Sequence, residues 1–189
     1  MKKLIALSGL LVVAPAVSAH TGLGHDGMAA GFMHPLLGWD HLLAMLAIGV
    51  WAARCGGRAT WAVPLTFVAV MSAAATWSMH GGALVHVEGG IAVSLLLLGL
   101  MLAFAVKLPL AVGVPLVSLF AVYHGAAHGV EWPATLSPAL YVSGFILTTS
   151  LLHVAGILLG RNLYQHALLV PRLVGLLLAG SGSWLLLAS

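Results

Sequence analysis

Charged residues are scarce in this sequence. Of its 189 residues, 6% are Asp, Glu, Lys or Arg, whereas 61% are hydrophobic. Soluble globular domains carry about a quarter of their residues charged. The composition therefore excludes that class, and the mean hydropathy of +1.11 indicates a membrane protein. The formal net charge of +3 comes from only seven basic and four acidic residues. That is too few basic residues for a nucleic-acid-binding surface.

Cysteine is nearly absent as well. The single cysteine, Cys55, excludes an intrachain disulfide and a thiolate metal cluster. The sequence also lacks a Gly-rich phosphate loop with its Lys-Ser/Thr pair, so no ATP-driven step is indicated. Histidine, in contrast, is abundant. The ten imidazoles outnumber Lys and Arg together, and most of them lie in or beside apolar segments.

The amino-terminal residues 1–19 have the pattern of a secretory signal peptide. Lys2 and Lys3 precede a short apolar core, and small residues follow at the cleavage point. Cleavage would start the mature chain at His20, outside the cytoplasm. The Gly-rich segment 20–33 is interpreted as an exposed arm. Its His20, His25 and Asp26 either pass metal to His34 or are incidental, and the sequence leaves both interpretations open.

Six apolar segments follow, each long enough to cross a hydrocarbon core. They lie near residues 35–53, 60–80, 89–106, 110–128, 136–160 and 167–187. The basic residues after the signal peptide all lie at or beside three of the connections between these segments, namely Arg54, Arg58, Lys107, Arg161 and Arg172. By the positive-inside rule these connections are cytoplasmic, so both ends of the mature chain lie outside.

The sequence thus predicts an all-α membrane protein with one domain, residues 20–189, that is a bundle of six transmembrane helices. The first and fourth segments would run in opposite directions. This orientation fits two three-helix halves related by inversion, a known transporter arrangement. The oligomeric state does not follow from the sequence.

The first segment opens with polar groups that are unusual in a membrane span. Pro35 is favoured at the first helical position, which would leave His34 just outside the helix. His41, seven residues later, returns to nearly the same face, and Asp40 is its neighbour. A buried aspartate costs roughly 2.5–3.5 kcal/mol at the centre of a span, so such a residue is usually functional. Imidazole and carboxylate are ligands of divalent transition metals. The alternative is that His41 and Asp40 only pair with each other or with a neighbouring helix.

A second group of the same chemistry ends the fourth segment. His124 and His128 are four residues apart and therefore share a helix face, and Glu131 continues it if the helix persists. Two histidines at this spacing with a carboxylate are a metal-site pattern. A hydrogen-bonded pair at the helix end is the alternative. Opposite helix directions would bring both groups to the same outer side of the bundle.

Other polar residues fit the site less directly. His80, His86 and Glu88 border an outer connection, where they form either a vestibule or a solvated loop. His153 lies past the middle of the fifth span. It would be either a second, inward-facing station for the ion or a helix–helix hydrogen bond. His166 lies at a cytoplasmic connection, and we expect it to be incidental.

The two polar groups carry a family resemblance. HPLLGWDHLLAMLAIG, residues 34–49, resembles the first-span signature of the HupE/UreJ proteins. YHGAAHGVE, residues 123–131, resembles their fourth-span signature, in which Phe is commoner than Tyr123. The resemblance covers essentially the whole chain. It implies an inner-membrane permease with a periplasmic mature amino terminus that brings nickel, or in some members cobalt, into the cell for hydrogenase or urease assembly.

The resemblance also implies the ligands. The metal would be the transported substrate, with no resident cofactor and no enzymatic activity. The family's motif residues correspond here to His34, Asp40, His41, His124, His128 and Glu131.

Two other functions use the same residue types. An intramembrane zinc hydrolase would hold Zn²⁺ on these ligands, with Glu131 or Asp40 as the base that activates water. A haem-binding subunit would use the histidines as axial ligands, although the neighbouring carboxylates count against it. The absence of thiolates argues against Cu(I), whereas affinity order does not choose among nickel, cobalt and zinc.

Overall fold

The computed structural model describes residues 26–188, and every regular element among them is an α-helix. The helices are α1 (Asp26–Leu37), α2 (Trp39–Cys55), α3 (Ala59–Met79), α4 (Val87–Ala103), α5 (Leu110–Val130), α6 (Pro138–His166) and α7 (Leu169–Ala188). The predicted all-helical class is confirmed for this part of the chain. The signal peptide predicted at residues 1–19 and the histidines at 20 and 25 lie outside the described residues.

The six predicted apolar segments coincide with α2 to α7. Among the described residues, four helices are long and apolar enough to cross a membrane, namely α3, α5, α6 and α7, and the bent pair of α1 and α2 makes a fifth candidate. The remaining helix, α4, is apolar but has 17 residues, which is at the short limit for a span. The chain is therefore a multi-pass membrane protein, and the count of six spans stays a prediction.

The beginning of the first segment differs from the prediction. Residues 26–33, expected to be an exposed arm, form most of α1, and His34 lies in its last turn instead of outside a helix. Pro35 sits inside α1, near its end, and does not start a new helix. The chain breaks at the extended Gly38, and α2 leaves at 79° to α1.

Packing explains why α1 forms where hydropathy is weak. Its face lies directly against α6, because a Cβ at Gly31 would collide with the backbone of Tyr141, and one at Gly144 would collide with the backbone at Met28. Small residues permit such close approach of two backbones. This contact stabilises a helix that the amino-acid pattern alone does not predict.

The other main interfaces are built in the same way. Helix α2 packs on α6, α3 on α5 and α4 on α7. Glycines lie at the crossings, with Gly49 against Gly156, Gly125 against Met71 and Gly99 against Gly175. This set of pairs is unchanged when α2–α4 is exchanged with α5–α7. The pairing is therefore compatible with two inverted halves, which remain a prediction.

The carboxyl-terminal end of α2 is hydrogen-bonded to the connection between α4 and α5. Trp51 is fully buried, and its Nε1 donates a hydrogen bond to the Val106 carbonyl at 3.0 Å. The Nε of Arg54 donates to the Ala105 carbonyl at 3.3 Å, and its guanidinium lies 5.2 Å from the ring centre of Tyr164. The ends of α2, α4 and α6 therefore meet, which groups basic residues at one end of the bundle.

Candidate metal site

The opposite end of α2 carries a group of three imidazoles. His34 lies in the last turn of α1, His41 in the first turn of α2 and His128 in the last turn of α5. The bend at Gly38 brings the end of α1 and the start of α2 to the same place, and α5 arrives there from the other direction. One ring nitrogen from each of the three lies within 4.8 Å of the others. This spacing allows a single divalent ion to bind all three.

Asp40 orients the imidazole of His41. Its Oδ1 accepts a hydrogen bond from His41 Nδ1 at 3.0 Å and another from the backbone N–H of His41 at 2.7 Å. Since an ionised carboxylate only accepts hydrogen bonds, Nδ1 carries the proton. The lone pair is thereby left on Nε2, which is buried and has no hydrogen-bond partner among residues 26–188. Carboxylate–histidine pairs of this kind orient metal ligands.

His124 and His128 are both fully buried on α5. The Nδ1 of His124 donates to the Phe120 carbonyl at 3.0 Å, because a carbonyl can only accept. Its Nε2, like both ring nitrogens of His128, lacks a partner in the described part of the chain. Buried polar atoms are normally hydrogen-bonded. Unpaired imidazole nitrogens keep a lone pair that can bind a metal ion.

His34 and Glu131 form the more open side of the site. The Nε2 of His34 lies 2.9 Å from Oε2 of Glu131, and the two side chains are 22% and 47% exposed. The hydrogen bond from His34 lowers the pKa of Glu131 below its ordinary value and keeps the carboxyl group ionised. Glu131 directly follows α5, so a negative charge lies where an ion from outside the bundle would first meet the histidines.

The structure brings all six predicted ligands into one region. His34, His41 and His128 form the close group, and the ring of His124 lies 5.0 Å from that of His41 between centres. Asp40 and Glu131 contact ring nitrogens of His41 and His34. Both carboxylates therefore hold imidazoles in place. The role of these six residues as metal ligands stays a prediction.

Aromatic side chains that the sequence did not single out complete the walls. Phe145 stacks on His128 with ring centres 4.6 Å apart and planes within 6°. Tyr141 lies 6.0 Å from His34 between ring centres. These two residues are four apart on α6, so they share a face. That spacing is the only signal in the sequence, and it does not distinguish a site wall from an ordinary core.

The remaining histidines lie elsewhere. His80 and His86 are exposed at the connection between α3 and α4, as is Glu88 at the start of α4, and His80 Nδ1 is 2.7 Å from the Thr76 carbonyl. Exposure favours a solvated connection there. His166 is exposed at the end of α6, whereas His153 is buried in the middle of the same helix.

Comparison with known proteins agrees with the resemblance in the two signatures. A family described as HupE / UreJ protein matches residues 8–185. The protein named Protein HupE from Rhizobium leguminosarum bv. viciae is 40% identical over 185 residues, which cover 97% of each chain. No solved structure matches the chain significantly.

Proposed function

This chain belongs to the HupE/UreJ family, and we propose from that premise that it is a secondary permease for nickel ions. It would carry Ni²⁺, or Co²⁺, across the bacterial inner membrane into the cell and supply hydrogenase or urease assembly. The observation that supports this most directly is the group formed by His34, His41 and His128, with ring nitrogens within 4.8 Å of one another. It lies at one end of a multi-pass helical bundle.

The chemistry of the ligands fits such a cargo. Imidazole nitrogens suit nickel, cobalt and zinc, and the described residues bring no thiolate to the group that would favour Cu(I). The carboxylates of Asp40 and Glu131 add negative charge near the ion and orient His41 and His34. A transporter also has to release its ion. An arrangement with one partly exposed ligand, His34, is suited to exchange with the outside.

The driving force would be the membrane potential. An inside-negative potential favours entry of a dication by roughly 4.6 kcal/mol per 100 mV, twice the value for a single charge. We propose that the histidine group faces the periplasm. In that orientation Arg54 and the other basic residues near the opposite end lie at the cytoplasmic face, as the positive-inside rule requires.

A zinc hydrolase is the second candidate, because three protein ligands with an open fourth position also describe a catalytic zinc site. Such an enzyme needs a free carboxylate to activate water. Asp40 and Glu131 are each already paired with an imidazole, which counts against this candidate.

Transport into sealed vesicles tests the proposal. Purified full-length protein in liposomes loaded with a chelator should admit many Ni²⁺ ions per protein. An inside-negative potential should speed entry, and added nucleotide should not. His128→Ala should reduce entry to the protein-free leak, whereas the matched change His166→Ala, at an exposed position, should leave it unchanged. Entry that stops at about one ion per protein would instead support a resident zinc site.

A further inference from the structure

A second group of unpaired polar atoms lies within α6. His153 is 1% exposed, and neither of its ring nitrogens has a hydrogen-bond partner within residues 26–188. Thr149 is also fully buried, and its Oγ1 is likewise without a partner there. The two residues are four apart, so the imidazole and the hydroxyl lie on one helix face.

An ordinary helix–helix hydrogen bond does not account for this pair. The neighbouring Thr148 shows what such a bond looks like here, since its Oγ1 donates to the Phe32 carbonyl on α1 at 2.6 Å. Thr149 and His153 make no equivalent bond in the described structure. Buried polar groups are normally satisfied, and those that are not usually have a functional or ligand-binding reason.

The pair lies deeper in the bundle than the candidate metal site. The backbone of His153 packs against Gly49 of α2, and Gly49 follows His41 by eight residues, or about 12 Å along the helix axis. Helical side chains lean toward the amino end of their helix. Helix α6 begins shortly after Glu131, so the imidazole of His153 extends from this depth back toward the site.

One aromatic ring lies beside both the candidate metal site and the deeper pair. Phe67 is fully buried on α3, and its ring centre lies 5.6 Å from that of His124 and 5.3 Å from that of His153. The same phenyl ring therefore lies beside an imidazole of the candidate metal site and beside the imidazole of His153. A phenyl ring has no lone pair to offer a metal ion, so Phe67 itself is not a ligand in either group.

We infer that His153 and Thr149 form a second, deeper ion-binding station, which receives a divalent transition-metal ion after it leaves His124. This inference rests on the proposed permease function. One imidazole nitrogen and one neutral hydroxyl oxygen bind a dication more weakly than the group of histidines above them. Weak binding at a second site is what release on the other side of a membrane requires.

The first experiment separates binding from transport. In His153→Leu the outer ligands are intact, so the nickel Kd of the purified full chain should stay within about twofold of wild type. The rate of entry into chelator-loaded liposomes should fall at least about tenfold, because the ion loses its next ligand. Thr149→Val, which is nearly isosteric, should lower the rate with the same unchanged Kd. His166→Leu is the matched control at an exposed position and should not change the rate.

The second experiment distinguishes a ligand from a packing residue. His153→Cys offers a thiolate, a soft ligand that favours zinc over nickel relative to imidazole, whereas His153→Ser has nearly the same size without the sulfur. The ratio of zinc to nickel entry should be at least about fivefold higher for the cysteine variant. A residue that only packs would give equal ratios.

The outcomes also separate this inference from the proposal on which it rests. Suppose that nickel enters normally through the wild-type protein and that the entry rate of His153→Leu lies within twofold of the wild-type rate. This result would overturn the deeper station alone. Equal zinc-to-nickel ratios for the cysteine and serine variants would do the same. Absence of nickel entry through the wild-type protein would overturn the permease function and the station together.

Discussion

Asp40 shows what a single carboxylate contributes to this site. Its Oδ1 accepts hydrogen bonds from both the Nδ1–H and the backbone N–H of His41. The lone pair of the ring is therefore left on Nε2. Removing such a partner of a metal-binding histidine typically lowers metal affinity about 10–100-fold. We therefore expect Asp40→Asn to weaken nickel binding by this factor while the protein still reaches the membrane. Titration calorimetry on the purified variant measures the change.

A control is needed because loss of a buried group can act through folding. Membrane abundance and thermal unfolding of Asp40→Asn should be compared with those of wild type and of His166→Ala. Unchanged nickel affinity in a well-folded Asp40→Asn protein would show that the carboxylate neither binds the ion nor orients His41.

External pH should affect nickel binding by the histidines of the candidate metal site. Metal ions bind the neutral imidazole, and free histidine titrates near pH 6.5. Since the hydrogen bond from His34 lowers the pKa of Glu131 below its ordinary value, that carboxylate stays ionised between about pH 7.5 and about pH 5.5. At fixed membrane potential we expect apparent nickel affinity to fall as external pH drops from about 7.5 to about 5.5.

The direction of that change is the test. Protonation of the imidazoles removes ligand lone pairs and adds positive charge, so both effects oppose a dication at lower pH. Initial rates of entry at several nickel concentrations, with the potential clamped, give the apparent affinity. Stronger uptake on external acidification would mean that protons accompany the ion and that the permease is not a simple carrier.

At this scale the sequence predicted which polar residues lie close together better than how their side chains are oriented, and their role as metal ligands stays a prediction. The spacing of His124 and His128, with the opposite directions of two spans, was enough to place six polar residues together. It left open whether Asp40 pairs with His41 or binds the ion separately, and it did not indicate that Glu131 contacts His34. That distinction depends on side-chain orientation, which neighbouring helices set. Phe67 and Phe145 were missed because an aromatic residue in an apolar span carries no distinguishing pattern.

At the scale of the helix, glycine contacts determine the arrangement. A Cβ at Gly49 would collide with the backbone of His153 and Gly156 on α6, whereas one at Gly180 meets no atom of residues 26–188 within 4 Å. We expect Gly49→Ala to destabilise the fold by about 1–3 kcal/mol, because α2 and α6 have to move apart. Gly180→Ala should be neutral or slightly stabilising, since alanine is the better helix former.

Thermal unfolding in detergent compares the two variants under the same conditions. They make the same chemical change in a membrane helix, so the difference between their midpoints reports the close contact at Gly49. Equal midpoints would mean that α2 and α6 do not approach each other as closely as described.

Helix α1 marks the limit of element-level prediction. The apolar segments from α2 onward follow from hydropathy, since each is a long run with few charges. Residues 26–33 are Gly-rich and weakly hydrophobic, so their helix depends on contact with Tyr141 and Gly144 of α6. The break at Gly38 was missed for a related reason. Pro35 was expected to begin a helix, but it lies within the end of α1.

At the scale of the whole molecule, the two ends of the bundle differ in chemistry. The histidine group and Glu131 lie at one end, and Arg54 lies at the other, bonded to the Ala105 carbonyl. The distribution of basic residues predicted this polarity directly. The way the helices pair could not be predicted from the sequence, because it depends on which small residues face one another.

The polarity can be tested with the single cysteine. Cys55 ends α2 beside Arg54 and is partly exposed, so the proposed orientation places it at the cytoplasmic face. A membrane-impermeant thiol reagent should fail to label it in intact cells freed of their outer membrane, and should label it in inverted membrane vesicles.

As a matched control, Thr135→Cys in a Cys55→Ser background places a thiol at an exposed position between α5 and α6, near Glu131. It should show the reverse pattern, because that connection lies on the histidine side. Labelling of Cys55 from outside would mean that the bundle has the opposite orientation in the membrane. Nickel would then meet the histidine group from the cytoplasm, and the membrane potential would oppose release to the periplasm instead of driving uptake.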